Sequence, residues 1–195
     1  MTLVKSKYKF YSKQGLWLLF LMCAFPLHLW TLILSFRDFS WVTERTNAWD
    51  AVGVVSYGLL FAFVESLIIF CIMALLGFLV SSKWDEPRRI ALLSTLILLL
   101  SAWGIYGQAY FVWNVTPAAW FLKWVAQSAH PYRILFGLTL VEVSLTMFIP
   151  ALLILRWEKF FRFMQETMDR LSLLTLFYLV FDVVGLVIVV IRNVF

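Results

Sequence analysis

Three acidic residues stand where acids are expensive: Glu65 within the apolar stretch 51–80, Glu142 within 134–155 and Asp182 within 171–191. A charged side chain at the centre of a membrane helix costs roughly 2.5–3.5 kcal/mol on insertion scales. No Lys or Arg lies beside any of the three. Each acid must therefore be protonated, hydrated, bound to a cation or paired with a basic partner. His28 and Gln108 are the lesser members of the same polar set, His28 also reading as a satisfied residue at a Pro26 kink.

Helical spacing groups these residues with others. Gly58, Ala62 and Ser66 form a small-xxx-small row beside Glu65; Thr139 and Thr146 share a face with Glu142; Thr175, Tyr178 and Gly185 share one with Asp182. Ser94, Ser101 and Gln108 recur at intervals of seven, and His28, Thr31 and Ser35 complete the pattern. One wet stripe per span is what a bundle that turns its polar groups inward would carry. At a rise of about 1.5 Å per residue, Glu65 and Asp182 fall near mid-membrane, with Glu142, Gln108 and His28 in the middle or outer half. The expectation is that Glu65, Glu142 and Asp182 converge on one water-accessible, outward-facing cavity. The plainer alternative is that each protonated acid only hydrogen-bonds a neighbouring helix.

The elements that must position these residues are transmembrane helices. The 195 residues are 63% hydrophobic and 14% charged, too apolar for a soluble fold, and apolar runs long enough to cross a core of about 30 Å recur along the chain. The alternating segments of about ten residues that make a membrane β-barrel are absent. The expected fold is all-α, a polytopic bundle of about five spans at 14–36, 51–80, 90–113, 134–155 and 171–191, forming one integral membrane domain over 1–195. Two connections have interfacial helical patterns. One, 117–129, carries Trp120, Phe121 and Trp124; the other, 156–169, places Trp157, Phe160, Phe161, Met164 and Met168 on one face and charges on the other.

Eleven of the 16 Lys and Arg residues, among them Lys5, Lys7, Lys9, Lys13 and Lys83, fall on the N-terminal side of the predicted topology, and the other five on the far side. By the positive-inside rule the N-terminus is cytoplasmic and the C-terminus outside, in a plasma or inner membrane. The net charge of +5 follows from this asymmetry and does not call for nucleic acid. Cys23 and Cys71 lie inside apolar spans with no C-x-x-C pair, so neither a disulfide framework nor a redox motif is indicated.

Metalloprotease, serine-hydrolase and phosphate-loop motifs are missing, and no metal site or cofactor is expected. The longest connection, about 20 residues, is too short for a soluble catalytic domain. The reading is a small multi-pass protein in a lipid bilayer, carrying or binding a proton, cation or small polar ligand through Glu65, Glu142 and Asp182, with His28 and Gln108. The rivals are an accessory or assembly subunit with a membrane-protein partner, and an intramembrane enzyme acting on a lipid or lipid-linked substrate, an enzyme being the less favoured class.

Overall fold

The computed structural model describes residues 11–80 and 84–194, so Lys5, Lys7, Lys9 and Lys83 of the charge count lie outside the described residues. Regular structure among them is all helical: α1 Lys13–Arg45, α2 Ala48–Gly77, α3 Glu86–Val112, α4 Ala119–Ala126, α5 Pro131–Arg156 and α6 Glu158–Val194. All but α4 are long and apolar enough to cross a membrane, making the chain a five-helix bundle of the integral membrane class.

Local chemistry sets the helix ends. The Ser12 hydroxyl accepts from the Gly15 N–H at 2.9 Å, and the Asn47 side chain does the same for Asp50. Pro87 and Pro131 stand in the first turns of α3 and α5, where a missing N–H costs nothing. At the end of α3, Asn114 takes a left-handed φ of 50°, and the Val115 N–H reaches back to the Tyr110 carbonyl at 3.0 Å. That is the six-to-one bond of a Schellman stop.

The directions of the helices follow from their cross-links. Thr175 donates to the Leu21 carbonyl and Asp182 meets His28, both pairs 154 residues apart, so α1 and α6 run parallel with contacts one heptad apart. Arg88 reaches the Leu155 carbonyl and Trp103 reaches Thr146, which makes α3 and α5 antiparallel. Helix α2 returns beside α1 and crosses α6 at Ser56 and Gly185, where an added Cβ would lie 3.3 Å from the Ser56 carbonyl oxygen. At that end Arg192 ties α6 to α2, donating to Asp50 at 2.7 Å and to the Trp49 carbonyl at 2.5 Å. Gly53 leaves room for it, since a Cβ there would come within 2.6 Å of its Nε.

The packed core lies at the N-terminal end of the bundle. It joins Leu19 to Ala24 of α1, Ile90 to Leu93 and Ile97 of α3, Met73, Ile154, Phe161 and Met168. Toward the other end less is covered: α5 buries only Ile154, and Leu100, Tyr106 and Phe111 of α3 are exposed, while α6 stays on α2 through Arg192 and α3 stays beside α1 where the Trp30 and Trp113 rings meet at 5.6 Å. Elsewhere apolar side chains face outward, as a bilayer requires.

One expected element is different. The segment 156–169, predicted as a surface helix separate from the fifth span, is continuous with it as α6. Phe161 and Met168 are buried in the core, and Phe160 and Met164 pack against it, with Trp157 left exposed. An apolar stripe at helical spacing serves a protein face as well as a lipid face, and periodicity alone does not choose between them. The segment 117–129 holds α4, with Trp120 and Trp124 exposed and Val125 buried.

Candidate functional site

The predicted stripe on α6 is the face it turns to α1 and α2. Thr175, Asp182 and Gly185 are buried, and the Tyr178 ring stacks on His28 with centroids 6.4 Å apart and on Phe25 at 6.2 Å. His28, with no exposed surface, faces the Ala24 carbonyl through Nδ1 at 2.8 Å and the Asp182 carboxyl through Nε2 at 2.9 and 3.1 Å. A carbonyl oxygen can only accept, so Nδ1 carries a hydrogen. Nε2 and the carboxyl then share one proton, as imidazolium with carboxylate or as neutral imidazole with carboxylic acid. Removing that proton would set two lone pairs against each other in a dry site. Both ring nitrogens are thus engaged within the protein, which suits a latch between helices better than a free base.

Glu65 takes a different environment. Its neighbour Ser66 is fully buried and donates to the Ala62 carbonyl at 2.6 Å, which turns Glu65, one helical step away, to the exposed side of α2. There it lines a groove of about 320 Å³ between α1 and α2 together with Thr31, Ser35 and Asp38. The small residues Ala51, Gly58 and Ala62 keep that groove open. Glu65 makes no ion pair or hydrogen bond among the described residues, whereas Asp38 is held by Arg37 at 2.7 Å.

Glu142 is exposed on α5, where its backbone carbonyl accepts from the Thr146 hydroxyl at 2.9 Å. Gln108, exposed on the C-terminal half of α3, accepts from the Trp30 indole N–H of α1. The stripe Ser94, Ser101, Gln108 therefore runs from the buried core to an exposed end of α3 that still lies beside α1.

The expected convergence of the three acids is not what the helices produce. Asp182 lines an apolar crevice of about 660 Å³ between α1, α2 and α6, Glu65 lines the α1/α2 groove, and Glu142 stands on α5. Spacing assigns each acid to a face of its own helix, but the rotation of that helix against its neighbours is set by which small or large residues fit between them. Among the described residues no group of three His, Cys, Asp or Glu side chains is placed to hold a metal ion.

Sequence reasoning brought out His28 and Asp182 but not their pairing. It passed over Asp38 as a groove residue and the Arg192 to Asp50 link. A separation of 142 residues leaves no local signal for that ion pair. Comparison of the chain with protein-family models, with curated proteins and with solved structures finds no match.

Proposed function

We propose that this membrane protein binds a proton or a small monovalent cation in the groove between α1 and α2, with Glu65 as its anionic end. The observation that carries this reading is an acid without an ion pair or hydrogen bond among the described residues, in a groove that also holds Thr31, Ser35 and Asp38. Glu65 lies at the depth of His28 by the antiparallel pairing of α1 with α2. Asp38 is ten residues further along α1, or about 15 Å toward the opposite end. The Thr31 and Ser35 hydroxyls line the same groove and, with the Glu65 carboxylate, supply the hard oxygen ligands that a small cation or a hydronium needs, while Asp38 adds negative potential further along the groove. Asp182 and His28 then act as the latch that holds α6 against the back of α1.

The test is ligand-linked stability of the purified protein with sodium, potassium and tetramethylammonium, together with proton release on cation addition. A cation that binds should raise the unfolding temperature in a saturable way, and Glu65→Gln should abolish the rise. Asp38→Asn should weaken it without abolishing it. Absence of any cation or proton signal, or a signal that survives Glu65→Gln, would reject this reading.

A second reading, as a subunit that docks a partner helix, draws on α3 and α5. Around Gly104, Gly107 and Gly137 there is open space, and Glu142 is exposed on the same half of the bundle. A partner helix with a basic residue would cover that acid. Under this reading Glu142→Lys releases a stoichiometric partner and Glu65→Gln does not.

A further inference from the structure

The crevice floored by α1 has a chemistry unlike that of the Glu65 groove. Its walls are Leu16, Trp17 and Phe20 of α1, Phe63 and Leu67 of α2 and Leu179 of α6, with further apolar side chains and, among the described residues, two charged ones, Lys13 and Asp182. Lys13 stands at one end, and Asp182 lies toward the other. Lys13 begins α1, while Asp182 sits at the level of His28, fifteen residues on and about 22 Å away along the helix. Asp182 is already satisfied by His28. Lys13 is exposed and makes no ion pair or hydrogen bond among the described residues. Beyond the crevice, α2 and α6 approach closely where Ser56 meets Gly185.

We propose that this crevice holds one acyl chain of an anionic phospholipid from the leaflet on the Lys13 side, with the lipid phosphate on the Lys13 ammonium. Three observations converge. The length exceeds the roughly 15 Å that half of a 30 Å hydrocarbon core demands of an extended chain. The lining is aromatic and aliphatic, so each methylene gains contact without facing an unpaired polar group. Among the described lining residues, the charge without a polar partner is a cation at the end where a headgroup would lie. A zwitterionic lipid offers the same chain with a compensating charge beside its phosphate, so the anionic class fits best. This site is separate from the Glu65 groove and stands whether or not that groove binds a cation.

The experiment is native mass spectrometry of the delipidated full chain titrated with phosphatidylglycerol, with phosphatidylcholine of the same acyl chains, and with the matching free fatty acid. The wild type should retain one phosphatidylglycerol at activations that strip phosphatidylcholine. Lys13→Gln should lower that occupancy about fivefold, the effect of one basic residue at a lipid surface, and Lys13→Arg should keep it. Leu67→Trp, which fills the crevice, should exclude the lipid. Because Lys13 is exposed and makes no ion pair or hydrogen bond among the described residues, Lys13→Gln keeps the test decisive even if Leu67→Trp fails to fold. Equal retention of both phospholipids, stronger retention of the fatty acid, or no change in Lys13→Gln would overturn the proposal.

Discussion

Replacing Asp182 by Asn and by Ala separates the two things its carboxyl does for His28. Asn keeps a donor: its Nδ2–H can reach the Nε2 that now stands 2.9 Å from the carboxyl, while the Nδ1–H stays on the Ala24 carbonyl. Ala removes the partner and leaves Nε2 unsatisfied beside an apolar crevice. In a soluble protein, breaking one side of a buried pair costs about 3–5 kcal/mol. Unfolding within a membrane separates helices that remain in lipid, where each polar group finds some other partner. Measured interhelical hydrogen bonds there average about 0.6 and reach about 1.7 kcal/mol. The buried position of this pair places it at the upper end of that range, so Asp182→Ala should destabilise by about 1.5 kcal/mol and Asp182→Asn by under about 0.5. The assay is reversible unfolding in mixed micelles followed by helicity, with His28→Ala and the double variant completing a thermodynamic cycle. Equal losses for Asn and Ala, or strictly additive losses in the double variant, would show that the two side chains are neighbours without being coupled, and the latch would be refuted.

Two further outcomes follow from the ends of the bundle. With Cys23 and Cys71 replaced by Ala, a cysteine at Ser128 should react with a membrane-impermeant thiol reagent in intact cells and one at Gln165 should not, the reverse pattern inverting the topology drawn from the charge asymmetry. Tyr11, just before α1, donates its hydroxyl to the Ala74 carbonyl at 3.0 Å, and burial pushes its phenol above the ordinary tyrosine value, with Arg89 opposing and Glu86 reinforcing the shift. The folded chain then holds that proton more tightly than the unfolded chain. Stability should be flat in this residue below about pH 10 and fall as pH rises beyond it. Tyr11→Phe should cost about 1 kcal/mol at neutral pH and lose that part of the alkaline decline; identical slopes for both proteins would argue against the shift.

The sequence by itself determined the class of fold, because apolar runs long enough to cross a bilayer leave no other way to satisfy the backbone than helices. It also determined which residues share a face, since 3.6-residue periodicity is a local property. Thr175, Asp182 and Gly185 do lie together on the buried side of α6, and Ala62 and Ser66 on that of α2. Tertiary structure alone decided which faces meet. Asp182 found His28, 154 residues away, because α1 and α6 run parallel in a heptad register, and Glu65 was turned outward because Ser66 fits the buried face and a glutamate does not. The apolar stripe from Phe160 to Met168 went to the core rather than to lipid for the same reason. Helix rotation and register are set by how side chains from distant parts of the chain interdigitate, and neither composition nor spacing along one helix contains that information.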